Sequence, residues 1–272
     1  MNVVLPAALI GMLVMLAGTL PRNLLFAANL RYGAAVPWAV PVVAVYLFVF
    51  WKYLQGFGPP ASTAQERREN LRAFRVSGRV WAWSLTAGTL GIVALVLGLR
   101  LANRLVALPA QTLPDFAGVP VGTVLALLIA AAPVAGVIEE AAFRGYMQGP
   151  IERAHGLPVT VLVTGTMFAV AHLDFTLALW PYYVAVAAIY GAVTHYAGSI
   201  LPAVVLHTAG NLWSNTDLWL HGRAEWQAPV AATRVWETGI DAAFGTTALA
   251  FVAAALAALW AFVRLARAAA PR

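Results

Sequence analysis

Long apolar stretches separated by short polar connections dominate the pattern of hydrophobic and polar positions. A helix needs about 20 mostly apolar residues to cross the hydrocarbon core of a bilayer. Reading with that window predicts eight spans, at 2–20, 34–53, 80–98, 117–148, 157–173, 176–197, 199–216 and 244–265. The predicted fold class is therefore an all-α, polytopic bundle of about eight transmembrane helices. No internal repeat or linker divides the chain, so residues 1–272 are expected to form a single integral membrane domain.

The composition supports a membrane protein and excludes several kinds of site. Hydrophobic residues make up 61% of the 272 residues and charged residues only 10%, which is too apolar for an ordinary water-soluble domain. The absence of cysteine excludes disulfides, thiolate metal sites and a cysteine nucleophile. The net charge of +6 does not predict nucleic-acid binding, because no recognition motif accompanies it. The basic residues instead fall mainly between spans, where they meet lipid headgroups.

The distribution of these basic residues predicts the orientation of the chain. Positive residues stay on the cytoplasmic side of a membrane. On the side shared by the two termini lie Lys52, Arg67, Arg68, Arg72, Arg75, Arg79, Arg144, Arg153, Arg264, Arg267 and Arg272, and on the opposite side lie Arg22, Arg31, Arg100, Arg104, Arg223 and Arg234. Both termini are therefore predicted to be cytoplasmic. The Ala- and Arg-rich, Lys-poor composition indicates a bacterium, and hence its inner membrane.

Charged and hydrogen-bonding side chains occur within three of the predicted spans. The fourth span contains "IEEAAFRGYMQ", with Glu139, Glu140 and Arg144; the fifth contains "FAVAH", with Phe168 and His172; the seventh contains "LHTAGN", with His207 and Asn211. Charged side chains at membrane depth cost several kcal/mol, so their presence usually marks a transport pathway or an active site.

Helical geometry gives each of these groups a distinct arrangement. Glu140 and Arg144 are four residues apart, where a carboxylate and a guanidinium can pair. Glu139 lies ~100° around the helix, free to point into the bundle as a general base. His207 and Asn211, also four apart, present an imidazole and an amide to a common point. At ~1.5 Å per residue, Glu139, His172 and His207 lie about 15, 22 and 13 Å from the cytoplasmic ends of their spans, within one layer.

Simpler interpretations of single residues remain open at this stage. Arg144 could extend to the headgroups, and a single histidine in an apolar helix is more often a core residue than a catalyst. Asp174 either reaches His172 or marks the end of the fifth span. Ser199 in "AGSILPA" offers a serine nucleophile of the rhomboid type, although its place at the start of the seventh span argues against it.

The order of the three motifs strongly resembles the CPBP intramembrane proteases, the family of CAAX prenyl proteases of the Rce1 type and of bacterial Abi and bacteriocin-processing homologues. The resemblance covers about 117–216. It implies hydrolysis of a peptide bond within the membrane. In this family's scheme, Glu139 and His172 activate a water molecule, and His207 and Asn211 bind the oxyanion. Glu140, Arg144 and Phe168 then support these residues.

The expected reaction needs no cofactor. The sequence contains no H-E-x-x-H pair, and a zinc ion is kept only as an alternative in which Glu139, His172 and His207 are the ligands. The expected partners are the lipid bilayer and a membrane-associated protein or peptide, cut near a terminus. The alternative functions are a non-catalytic scaffold or bacteriocin-immunity protein and a proton-coupled transporter.

Overall fold

The computed structural model describes residues 3–108, 115–172, 177–222 and 233–270, and within these ranges it contains helices and no strand. A 3-10 turn covers Ala61–Thr63, and a π-helical segment, Glu140–Met147, joins α5 to α6. The α-helices are α1 (Val4–Tyr32), α2 (Ala39–Leu54), α3 (Ala64–Leu71), α4 (Gly78–Leu105), α5 (Val121–Glu139), α6 (Gln148–Ala171), α7 (Trp180–Ala197), α8 (Leu201–His221), α9 (Val235–Thr238) and α10 (Ala242–Ala269).

The helices confirm the predicted class of a multi-pass helical membrane bundle. In the described part of the chain, the eight predicted spans correspond in order to α1, α2, α4, α5 with the π-helical segment, α6, α7, α8 and α10. The helical stretches that are long and apolar enough to cross a membrane are Val4–Tyr32, Gly78–Leu105, Val121–Ala171 and Ala242–Ala269, and Ala39–Leu54 is a shorter apolar helix. Gly156, with a φ of 78°, breaks the third stretch between the fourth and fifth predicted spans.

The first span was predicted too short. It was expected to end at residue 20, whereas α1 continues to Tyr32. Pro21 lies inside the helix without ending it. Arg22 therefore belongs to α1 and not to an extracytoplasmic connection. Arg144 is buried in the bundle and does not lie in a loop, so each side of the predicted charge bias loses one residue.

Close helix contacts bring the motif-bearing helices together. α5 packs along α8, α6 along α7, and α1 along the π-helical segment. A Cβ atom on Gly136 of α5 would lie 2.5 Å from the hydroxyl oxygen of Thr208 on α8, and one on Gly18 of α1 would lie 2.5 Å from Ile138. These glycines let the backbones approach closely, as small residues do in membrane helix pairs. The motif of α5 therefore lies between α1 and α8.

The basic connection between α2 and α4, which includes α3, packs on the bundle. Leu71 of α3 is buried, and the guanidinium of Arg67 donates to the carbonyl oxygens of Phe57 and Gly58. The hydroxyl of Tyr146 donates to the carbonyl oxygen of Arg67 at 3.3 Å. This connection therefore covers one end of the π-helical segment.

Candidate active site

The chain passes through its two adjacent glutamates at the change from α5 to the π-helical segment. All eight residues of Glu140–Met147 are buried. The segment is rich in small residues, and a Cβ atom on Gly145 would lie 2.9 Å from the carbonyl oxygen of Asn70. A π-helical turn is wider than an α-helical one and occurs frequently at functional sites. The unusual backbone thus coincides with the "EEAAFRGYM" motif.

Glu140 lies at the centre of a buried charge cluster. Its Oε2 is 3.5 Å from Nε of Arg144, and both side chains are completely buried. Its Oε1 is 2.8 Å from Nδ1 of His207 on α8. Because a carboxylate only accepts hydrogen bonds, Nδ1 of His207 carries the proton and donates to Glu140. The predicted pair of Glu140 and Arg144 is therefore present, and His207 joins it from another helix.

Glu139 occupies a different environment from its neighbour. Its Oε2 lies 3.5 Å from Nε2 of His207, so the one imidazole ring contacts both carboxylates. The Glu139 side chain retains 10% of its accessible surface, whereas the Glu140 side chain retains none. Of the two adjacent carboxylates, only that of Glu139 can be reached from outside the packed core.

Aromatic rings surround the buried guanidinium of Arg144. Its central carbon lies 5.4 Å from the ring centroids of both Phe168 and Tyr190, and 5.9 Å from that of Phe143. Nη2 donates to the carbonyl oxygen of Val186 at 3.5 Å. Contacts of a cation with aromatic faces are stronger where water is excluded. Arg144 is therefore held inside the bundle, and the interpretation that it extends to the headgroups is wrong.

Phe168 lies between the two motif histidines. Its ring centroid is 4.5 Å from that of His172 and 6.3 Å from that of His207. His172 lies at the end of α6, where its Nδ1 is 2.8 Å from the carbonyl oxygen of Phe168. Since a carbonyl only accepts, the proton of a neutral His172 is on Nδ1, and Nε2 is left as an acceptor. The ring of Tyr183 packs on His172 at 4.9 Å.

The remaining predicted residues have less defined surroundings. Asn211 is half-buried on α8, one turn after His207 and on the same side of the helix. Asp174 lies outside the described residues. The hydroxyl of Ser199 donates to the carbonyl oxygen of Phe74 at 2.7 Å, so it ties the α2–α4 connection to the start of α8. This bond gives Ser199 a structural role and argues against a serine nucleophile.

A bound metal ion would need three or more ligands that converge on one point. Among the described residues, no group of three or more His, Asp or Glu side chains is arranged to hold a metal ion. Within that part of the chain, His172 has no nitrogen within 4.0 Å of a carboxylate oxygen of Glu139 or Glu140. The alternative zinc set of Glu139, His172 and His207 therefore does not fit these positions.

Three residues of the site were not found from the sequence. Tyr190 stacks on His207 with ring centroids 5.0 Å apart, and Tyr183 packs on His172. These tyrosines are seven residues apart on α7, a spacing that puts both on one helix face and that could have indicated them. The third is Arg22 of α1, which interacts electrostatically with Glu139. No motif indicated Arg22, because its partner is more than 100 residues away in the chain.

Comparison with known proteins supports the resemblance found from the motifs. Residues 121–213 match the family model described as type II CAAX prenyl endopeptidase Rce1-like. The matched range contains the three motifs and the two tyrosines, and it excludes α1, α2, α4 and α10. No curated protein and no solved structure gave a significant match to the chain.

Proposed function

We propose that this chain, whose residues 121–213 match the Rce1-like family model of CAAX prenyl endopeptidases, is an intramembrane endopeptidase that uses Glu139 to activate water. The match to that family model supports a protease with a membrane-associated protein substrate. We further propose which glutamate is catalytic and which roles the surrounding residues have.

The difference in accessibility between the two adjacent glutamates is the observation that carries this proposal. Glu140 is completely buried, with Arg144 at 3.5 Å from one oxygen and His207 bonded to the other, so its carboxylate has no surface that water can reach. Glu139 retains accessible surface and has a single histidine nitrogen at 3.5 Å. A general base must reach the water molecule from which it removes a proton. Glu139 meets this condition and Glu140 does not.

The proposed reaction balances without a cofactor. The carboxylate of Glu139 takes a proton from water, and the resulting hydroxide attacks the carbonyl carbon of the scissile peptide bond. The oxygen of that carbonyl becomes an oxyanion, which accepts hydrogen bonds from preorganised donors. When the carbon–nitrogen bond breaks, Glu139 returns its proton to the leaving nitrogen. The products are a new carboxylate and a new amine.

The proposed partners of Glu139 follow from the hydrogen bonds of the two histidines. The bond from Nδ1 of His207 to Glu140 orients Nε2 of His207 toward Glu139. When Nε2 is protonated, it can donate a hydrogen bond to the oxyanion together with the amide of Asn211. The bond of His172 to the carbonyl oxygen of Phe168 leaves Nε2 of His172 as an acceptor for a proton of the attacking water. Glu140, Arg144 and Phe168 hold these two rings in place.

Cleavage can be tested by comparing membranes that contain wild-type protein with membranes that contain equal amounts of Glu139→Gln. This substitution keeps the shape of the side chain and removes its basicity. We expect a small set of membrane proteins to yield terminal fragments with the wild type alone. In water enriched in oxygen-18, the new carboxylate of each fragment should carry one oxygen-18 atom from the attacking water.

Glu66→Gln is a matched control, because Glu66 is an exposed carboxylate of α3, on the connection outside the matched residues. It should process the same proteins as the wild type. If Glu139→Gln generates the same fragments as the wild type, the proposed role of Glu139 is refuted. If the wild type generates none, while Glu139→Gln performs the cellular role of the protein in full, a scaffold explains the chain better.

A further inference from the structure

Arg22 lies on the side of α1 that faces the two glutamates. It is one helical turn after Gly18, which packs directly on Ile138, the residue before Glu139. Side chains of a helix lean toward its N-terminus, so the guanidinium of Arg22 extends back toward the level of Ile138 and Glu139. Arg22 is also ~27 Å along α1 from Val4, well inside a helix that is long enough to cross the membrane.

Arg22 is partly buried and, within the described residues, differs from Arg67 and Arg144 in having no ion-pair or hydrogen-bond partner. Arg67 donates to backbone carbonyl oxygens, and Arg144 lies 3.5 Å from Glu140. Within the described residues, no carboxylate oxygen lies within 4.0 Å of Arg22; its Nε has no hydrogen-bond acceptor, as is also true of the Nε atoms of Arg67 and Arg144. Among the described residues, the carboxylate of Glu139 interacts electrostatically with Arg22, in keeping with the contact of Gly18 on Ile138.

The charges of the site therefore form two couples on either side of one ring. Arg144 balances Glu140, Arg22 balances Glu139, and His207 contacts both carboxylates. A guanidinium remains charged at any ordinary pH, and a charge inside a membrane span is costly without a counter-charge. Opposite charges in apolar surroundings interact strongly at separations beyond hydrogen-bond distance. Such an interaction benefits both Arg22 and Glu139.

We propose that Arg22 is a positioning residue for Glu139, and that its positive charge stabilises the carboxylate of the base from α1. This inference rests on the proposed function of Glu139. Because α1 lies outside the residues that match the family model, Arg22 adds a site residue to the motif residues. Because the guanidinium of Arg22 and the carboxylate of Glu139 are more than 4.0 Å apart, the oxygens of Glu139 remain available for water. A direct ion pair would occupy those oxygens.

A double-mutant cycle on thermal unfolding tests the coupling without a substrate. The four proteins are the wild type, Arg22→Gln, Glu139→Gln and the double variant, each as the full chain purified in detergent. We expect Arg22→Gln to lower Tm by about 5 °C where Glu139 is present. In the Glu139→Gln background, the same change should leave Tm unchanged or raise it, because it then removes an unbalanced buried charge. A purely packing role for Arg22 predicts equal shifts in both backgrounds.

Arg22→Lys and Arg31→Gln are the companion variants. Lysine keeps the charge, so Arg22→Lys should retain more than half of the Tm lost in Arg22→Gln. Arg31 is exposed in the last turn of the same helix, and Arg31→Gln should unfold at the wild-type temperature. With a substrate found by the fragment comparison, Arg22→Gln should lower kcat about 10- to 100-fold with KM within about twofold, since general-base catalysis contributes about 10²- to 10⁴-fold.

Two results would overturn the role of Arg22. The first is an equal Tm shift for Arg22→Gln in the presence and absence of the Glu139 carboxylate. The second is a raised KM with unchanged kcat, which would make Arg22 a binding residue for a negative group of the substrate. The unfolding cycle needs no cleavage, so it can fail while Glu139→Gln still abolishes processing. A failure of the inference is therefore distinct from a failure of the proposed function.

Discussion

Replacement of Arg144 by methionine tests whether the buried ion pair holds the site together. Arg144 and Glu140 are both completely buried, and their nearest charged atoms are 3.5 Å apart. Methionine fills much of the same space without charge. The change leaves the carboxylate of Glu140 with His207 as its remaining partner among the described residues. It also removes the contacts of the cation with the rings of Phe168 and Tyr190.

The magnitude follows from the burial of both partners. Removing one partner of a buried pair costs about 3–5 kcal/mol, because the other charge is left uncompensated. One kcal/mol lowers Tm by about 2–4 °C in proteins of 150–250 residues, so Arg144→Met should unfold roughly 10 °C below the wild type. The double variant with Glu140→Gln should recover part of that loss, since it contains no unpaired carboxylate at this position.

Unfolding in detergent can be followed through the fluorescence of the ten tryptophans. Arg68→Met is the matched control, because Arg68 is exposed on α3, and a surface change of this kind costs less than about 0.5 kcal/mol. If Arg144→Met and Arg68→Met lower Tm equally, the buried pair does not stabilise the bundle. If Glu140→Gln lowers the Tm of Arg144→Met by as much as it lowers the Tm of the wild type, the two residues are not coupled.

Two further predictions concern the contact between α5 and α8 and the start of α10. Gly136→Val should lower the stability of the protein by about 1–3 kcal/mol and abolish cleavage, because its Cβ would lie 2.5 Å from the hydroxyl oxygen of Thr208 and would separate His207 from the glutamates. Gly245→Val is the control, since a Cβ atom at Gly245 meets open space, and it should have neither effect. Equal effects of the two variants would refute the close-contact explanation. The Phe244 N–H and the Arg104 guanidinium bond the ionised carboxylate and lower the pKa of Asp241, so its stabilisation is present above about pH 4 and is lost as pH falls through the lowered pKa. Asp241→Asn should therefore lose less Tm than the wild type between about pH 6 and pH 3, and parallel losses would contradict this.

The helical class and the motif residues could be predicted from the sequence because both depend on local spacing. A helix of about 20 apolar residues has the length needed to cross a bilayer, so a search with a window of that length predicted the eight long helices, with errors mainly at their ends. The end of α1 was missed because a proline and an arginine usually mark a boundary, whereas here both lie within the helix. The four-residue spacing of Glu140 and Arg144 sufficed to predict their pairing, since one turn of helix fixes it.

Relations between helices were decided by the tertiary structure. The sequence distinguished Glu139 from Glu140 by helix face alone, but their accessibility depends on α8, which brings His207 to both carboxylates. Spacing within α6 related His172 to Phe168, whereas the contact of Phe168 with His207 required α6 and α8 to pack around one core. α1 comes close to the glutamates only because Gly18 lets its backbone approach Ile138. The spacing of residues along one helix shows which face of that helix a residue occupies. Only the packing of helices that are distant in the chain decides which charged residue lies against that face.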